Sequence, residues 1–223
     1  FMPFGGGWSD MGIKDVITTT ERQGQLAKEC FPYITTHIVP PAIKSFYYEG
    51  KEPKKMVINI VAKNQSDVNR IVKPFYWKYP LYRWISFRDL RGFPKEIYSQ
   101  YLREAAITIW VDDKTDFGTN LIEAVKCGGI VIAKVPNQIQ DWMIEDGELT
   151  KSILWFNELD EVPKLLPSVV HSWITDSVPE EVYKNQDSIT PLFTEEIQTL
   201  EIIECYEKNI IDFCYCISND GLQ

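Results

Sequence analysis

Asp116-Phe117-Gly118-Thr119-Asn120-Leu121-Ile122-Glu123-Ala124 runs directly into Val125-Lys126-Cys127-Gly128-Gly129-Ile130-Val131-Ile132-Ala133, and this spacing of breakers and apolar residues leaves few ways to fold. Gly118 makes a tight turn, a short helical segment follows, Gly128-Gly129 stop it, and the apolar run beyond can only be a buried strand. The product is an αβ unit with a glycine turn at its helix start. Thr119 or Asn120 supplies the helix cap, so the unpaired amides and positive dipole end face the edge of a sheet. An anion is the expected guest there, phosphate above all. Glu123 lies about one turn into the helix between Ile122 and Ala124, close enough to the same edge to bind a hydroxyl. Phosphate beside a diol describes a nucleotide sugar.

The rest of the chain alternates short apolar runs with helical segments. Lys55 to Val61, Leu81 to Phe87, Ile107 to Val111, Ile130 to Ala133 and Ser152 to Phe156 read as buried parallel strands. Ser66-Asp67 starts a helix that Pro74 must end or kink near Lys73, and Pro94 opens another over Lys95 to Ala105. The class is therefore α/β, a Rossmann-like doubly wound parallel sheet with helices on both faces and its ligand at the carboxyl ends of the strands. Upstream, Lys14 to Thr20 and Thr36 to Val39 read as strands around a helix that Thr20 caps, followed by Pro40-Pro41. Asn137 to Trp142 reads as the start of a helix, and everything after about Leu159 as helical. Ile197, Leu200, Ile203, Cys205, Ile210, Ile211 and Phe213 form an apolar stripe that packs back on the domain as a C-terminal extension.

Composition removes several function classes. A length of 223 residues suffices for one large α/β domain plus a piece of another. A net charge of −9 argues against a phosphate-backbone footprint and hence against nucleic acid, although a local basic pocket remains compatible with it. Five cysteines without a Cys-x-x-Cys pair, and two distant histidines, suggest free thiols rather than a zinc site or a disulfide framework. No apolar run is long enough to span a bilayer and no leader pattern opens the chain, so the expectation is a cytoplasmic protein, at most peripheral to a membrane. The start at Phe1, in what reads as the middle of a loop, suggests a fragment.

Phe117, Gly118, Glu123, Ala124, Cys127-Gly128 and Val131-Ile132-Ala133 together resemble the donor-binding, C-terminal half of GT-B glycosyltransferases, specifically the large retaining family of glycogen and sucrose synthase-like enzymes. In that family a segment Glu-Gly-Phe-Gly, four residues, Glu-Ala, a small residue, Gly and a Val-Ile-Ala strand binds the nucleotide sugar. The family's first glutamate is Thr115 here and the glycine beside it is Asp116, so the paired glutamates are reduced to one plus a displaced aspartate. The resemblance implies residues 1–50 as a remnant of the acceptor domain and linker, 51–190 as the nucleotide-sugar-binding domain, and 191–223 as a C-terminal helix packing back. It implies phosphate binding at Gly118, Thr119 and Asn120, ribose at Glu123, and Asp116 on the sugar side. Lys63 stands where the family places an arginine that meets the diphosphate, and Arg88 lies in the loop Phe87 to Gly92 whose backbone would follow the base. No metal and no separate cofactor are implied. The partners are a nucleotide sugar donor and a hydroxyl acceptor, a glycan or lipid-linked glycan, and the isolated chain is expected to be inactive without its acceptor domain.

Each residue has a plainer reading beside this one. Lys63 and Arg70 fit solvated surface charges as well as ligand contacts, and Arg88 and Arg91 fit local salt bridges. Asp112, Asp113 and Asp116 fit a turn and capping cluster first, a sugar-hydroxyl or metal site second. Asp141 is the counterpart of a family glutamate, Trp142 fits a core residue, and His37 and His171 read as structural. Two other classes stay open: a non-catalytic nucleotide or nucleotide-sugar binding module, favoured by Thr115, and a flavodoxin-like domain acting only in protein interaction.

Overall fold

Short runs rich in β-branched residues lie near the start of the chain, and in the computed structural model, which describes residues 12–112 and 118–205, they form β1 (Asp15–Thr18) and β2 (Thr35–Ile38). The two strands are parallel, in register from Asp15↔Thr35 to Thr18↔Ile38. Between them α1 (Glu21–Cys30) begins at its expected cap, where the Thr20 hydroxyl accepts a hydrogen bond from the Gln23 amide at 3.2 Å. Gly24 lets this helix lie close to the strands, since a Cβ there would stand 3.2 Å from the hydroxyls of Thr18 and Thr36. His37 Nε2 and Asp15 Oδ1 are 2.9 Å apart, a pairing across the strands that no local sequence signal announces. A helix over 195–205 belongs to the same unit, and Gln198 Nε2 donates to the Pro40 carbonyl at 3.2 Å. That unit comprises residues 1–42 and 193–223; Ile43–Leu192 form the other.

The second unit contains the expected sheet. Its strands are β3 (Lys55–Val61), β4 (Ser86–Asp89), β5 (Ala105–Trp110), β6 (Ile130–Lys134) and, after a short hairpin of β7 (Ile144–Glu145) and β8 (Glu148–Leu149), β9 (Ile153–Phe156). The order is β4-β3-β5-β6-β9 and every pairing is parallel. All six residues of β5 are buried, as a central strand covered on both faces requires. Helices α2 (Gln65–Lys78), α3 (Lys95–Glu104), α4 (Thr119–Lys126), α5 (Val162–Ile174) and α6 (Glu180–Ile189) complete the unit. Alternation along β3 divides the two faces: Ile58 and Ile60 join Ile71 and Phe75 of α2 and Leu166 and Val170 of α5 in one core cluster, while Asn59 donates to the Tyr101 carbonyl of α3 at 2.8 Å. Among the described residues no helix is long and apolar enough to cross a membrane.

The structure corrects three local expectations. Leu81 and Trp84 do not lie in a strand: Pro80–Tyr82 form a 3-10 turn, Leu81 is 88% exposed, and β4 starts only at Ser86, after buried Ile85. Proline at the first position of the turn sets its backbone, and Leu81 and Trp84 face outward. Arg88 and Asp89 accordingly belong to the strand, not to the loop after it. Of the two outcomes expected at Pro74, an end or a kink, the end does not occur, and α2 continues to Lys78. The missing N–H removes one helical bond on the exposed side, while Ile71 and Phe75, both fully buried, hold the inner face in place. Asn137 to Trp142 does not open a helix. Asp141–Met143 is a single 3-10 turn, and Asp146 (φ 52) with Gly147 (φ 84) reverses the chain into the β7–β8 hairpin, the two positive φ values that Asp-Gly favours in tight hairpins.

Candidate functional site

In the order β4-β3-β5-β6-β9 the first crossover runs from β3 to β4 on one side of it and the second carries the chain back past β3 to β5 on the other, so the chain reverses direction across the sheet at β3 and β5. The helices that follow β3 and β5 therefore lie on opposite faces, and a crevice opens between them at the carboxyl ends of the strands. A cavity of about 280 Å³ lies there. Val61, Ala62 and Lys63 leave the end of β3, Leu90 to Phe93 the end of β4, and Asp112 the end of β5; Lys95 and Tyr98 come from α3, Asn120 and Glu123 from α4, and Tyr47 from the segment before β3. A larger hollow of about 500 Å³ lies between β9, α5 and the start of α6, but its lining is mostly apolar and only Lys151 and Glu181 carry charge. The smaller cavity brings together Lys63, Arg91, Lys95, Asp112 and Glu123 at the strand ends, and it is the functional candidate.

Helix α4 sets its floor. Gly118 is the N-cap in the left-handed conformation (φ 75), and its carbonyl accepts from the amides of Leu121 at 2.8 Å and Ile122 at 3.2 Å. The cap is thus a glycine backbone and not the side chain of Thr119 or Asn120, which are the first two helical residues. A side chain at 118 would also meet Met143 Cε at 3.3 Å and Trp142 Cζ2 at 3.6 Å, so the turn after β6 packs directly on the helix start. Four apolar neighbours on α4 are buried, and the helix sinks far enough that Glu123 is only 6% exposed.

Burial pushes the Glu123 carboxyl up to about 7, opposed by a hydrogen bond from the Tyr47 hydroxyl and by the nearby charge of Lys95. Burial, then the charge of Glu123, raises Tyr47 and Tyr98 above the ordinary phenol range. Among the described residues the Tyr98 hydroxyl has no hydrogen-bond partner. The carboxylate thus sits in a phenol-lined recess, poised between its charged and neutral forms near neutral pH.

The cations are arranged around the mouth. Lys63 Nζ is 2.8 Å from Asp112 Oδ2, with Lys63 largely exposed and Asp112 largely covered. Arg91 clasps Asp89 through Nε at 2.9 Å to both carboxylate oxygens and also reaches Gln65 Oε1, and this grip holds the Asp89 carboxyl below its usual range. Of the residues singled out from sequence, Lys63, Asn120 and Glu123 line the cavity and Gly118 and Thr119 begin the helix beneath it. Arg88 does not join them. Its guanidinium lies 3.9 Å from the Tyr101 ring centre and its Nη2 3.6 Å from Glu104, on the flank of α3, because β4 runs past it to Asp89. Asp116, with Asp113, Thr115 and Phe117, lies outside the described residues, as do Cys214 and Cys216. Tyr47, Lys95 and Tyr98 are among the lining residues that sequence reasoning missed; a tyrosine one helical turn beyond Lys95 was a weak signal, and nothing pointed to Tyr47.

A parallel sheet of this order, with its cavity at the reversal, is a doubly wound Rossmann-like domain, and the solved structures it matches carry it as one half of a GT-B fold. Solved glycosyltransferases of that fold match the chain, whereas no family model and no curated protein does. Sucrose-phosphate synthase from Thermosynechococcus elongatus aligns at a TM-score of 0.59 and 14% identity over 89% of this chain and 59% of that one. Anabaena HepE in complex with UDP and glucose gives 0.61 and 12%, over 86% and 62%. The pneumococcal O-GlcNAc transferase GtfA in complex with UDP and GlcNAc gives 0.57 and 16%, over 92% and 46%. The chain therefore spans between 46% and 62% of the length of these three structures, and shares their fold.

Proposed function

We propose that this chain is the donor-binding half of a glycosyltransferase that moves a sugar from a nucleoside diphosphate sugar to a hydroxyl of a glycan or lipid-linked glycan. The observation that carries the reading is the buried carboxylate of Glu123 in a cavity rimmed by Lys63, Arg91 and Lys95, at the sheet's reversal and beside a helix start. In this reading Glu123 accepts hydrogen bonds from the ribose diol, the amides of Gly118, Thr119 and Asn120 face the phosphates, and Lys63 supports the departing diphosphate. Negative charge grows on that diphosphate as the glycosidic bond breaks, so fixed amides and a cation stabilise the transition state more than the ground state. Structural neighbours solved with UDP support a uridine nucleotide as the first ligand to test. Residues 51–190 would form the nucleotide-sugar domain, and 1–50 the closing part of an acceptor domain; the grouping of 1–42 with 193–223, apart from Ile43–Leu192, supports a division of the chain but sets it near residue 42.

Titration calorimetry with uridine and guanosine diphosphates tests the site. Hydrogen bonds to a charged group are worth about 1.5–3 kcal/mol each, so Glu123→Gln should weaken binding by roughly tenfold or more with the fold intact, and Glu123→Ala by more still. Unchanged affinity in Glu123→Gln would remove the ribose assignment. One observation favours a second reading, a nucleotide-binding module without transferase activity: Lys63 is already ion-paired with Asp112 and Glu123 already bonded to Tyr47. Sugar transfer assayed on a longer protein that carries an acceptor domain separates the two.

A further inference from the structure

Between Val68 and Arg88 the chain carries five cations and no acid, in a molecule whose net charge is −9. The middle of this stretch, from the last turn of α2 through the Pro80–Tyr82 turn to β4, also holds the two most exposed large apolar side chains of the described residues, with a third exposed tryptophan beside them. Trp77 is 87% exposed, Leu81 88% and Trp84 56%. Lys73, Lys78 and Arg83 are exposed among them, and none of the three forms an ion pair among the described residues. Beneath them the corner is firm. Fully buried Phe75 has the rings of Tyr76, Tyr79, Tyr82 and Phe87 centred between 5.4 and 5.9 Å away, and the Tyr76 hydroxyl donates to the Ile85 carbonyl.

We propose that this corner is a membrane-docking surface that inserts Trp77 and Leu81 into the interface of a bilayer containing anionic lipid, with Lys73, Lys78 and Arg83 against the headgroups. Side chains almost nine-tenths exposed stand clear of their neighbours, so a protein partner would need pockets shaped to receive them, whereas a bilayer accepts protruding apolar groups without complementary shape. Tryptophan prefers the headgroup level, and lysine and arginine beside it gain from the negative surface potential. Positive charge concentrated on one corner of an otherwise acidic molecule selects an anionic surface and orients the approach to it. The corner lies where α2 ends and β4 begins, at the opposite end of the sheet from the cavity. The seven residues of β3 span the sheet between the two ends, about 20 Å, so docking leaves the cavity mouth on the aqueous side.

Sedimentation of the 223-residue chain with vesicles tests this, using phosphatidylcholine alone and phosphatidylcholine in which one lipid in three is phosphatidylglycerol. Binding is expected to the anionic vesicles and not to the neutral ones, with a blue shift of tryptophan emission, quenching by brominated acyl chains, and release at high salt. Replacing Lys73, Lys78 and Arg83 by Gln should lower the partition coefficient roughly fivefold per cation, about a hundredfold in all. Trp77→Ser with Leu81→Ser should lower it by at least about tenfold, with an unchanged melting curve because both side chains are exposed. Failure of the wild type to bind anionic vesicles overturns the proposal, as does binding that either variant leaves intact. Self-association in sedimentation velocity, abolished by the serine pair and unaccompanied by vesicle binding, would overturn it in favour of a contact between two copies of the chain.

Discussion

At the residue scale, Glu123 meets two opposed demands. Burial raises its carboxyl from 4.5 to about 7, so between those values the folded chain holds a proton that the unfolded chain has lost. Stability from this group is therefore highest below about 4.5, falls as pH rises toward 7, and stays low above, by at most on the order of 3 kcal/mol. Ligand binding runs the other way, because a diol needs the ionised carboxylate as acceptor. The expected result in urea unfolding is that wild type loses stability between about pH 5 and pH 8 while Glu123→Gln loses less and is the more stable protein at the higher pH. Parallel pH profiles for the two proteins would show that the carboxyl titrates normally. Over the same range UDP affinity of the wild type should rise. A variant that gains stability while losing ligand is the signature of a site kept at some expense to the fold.

At the scale of elements, the end of α4 is as constrained as its start. Gly128 has φ 72, its amide donates to the Val125 carbonyl at 2.9 Å, and a Cβ there would stand 2.7 Å from Glu49 Cγ. Glu49 is exposed and can swing away, so the cost of Gly128→Ala is set by the left-handed backbone, about 1–2 kcal/mol. Thermal unfolding should show a lower midpoint with nucleotide affinity unchanged; an unaltered midpoint would mean that the backbone relaxes out of this conformation. This glycine stop, like the strands on either side of it, was legible in the sequence because breakers and short apolar runs determine it locally. Strands β3, β5, β6 and β9 were placed to within two residues for the same reason. β4 was not, because the apolar residues Leu81 to Trp84 look the same whether they face a core or solvent, and Pro80 alone does not decide. Of the site, the α4 side was legible from Gly118 and Glu123. The Tyr47 side was not: it rests on a contact between residues 76 positions apart (123 − 47), from a segment with no periodicity of its own.

At the scale of the whole molecule, every residue that lines the cavity lies within Ile43–Leu192. A chain restricted to residues 43–192 is therefore expected to fold and to bind uridine diphosphate with the affinity of the 223-residue chain, measurable by calorimetry on both. A fragment that folds but binds at least tenfold more weakly would place part of the site elsewhere. The strand order carries one more consequence. β4 pairs with β3, β5 takes the other side of β3, and β6 and β9 then add in turn at the β5 edge, so each strand after the first meets a partner already made. The residues of the cavity run from Tyr47 to Glu123 and are complete before β6 exists. During synthesis the pocket's whole inventory leaves the ribosome before the strand that seals the β5 edge, so every lining residue is present while that margin of the sheet is still unpaired.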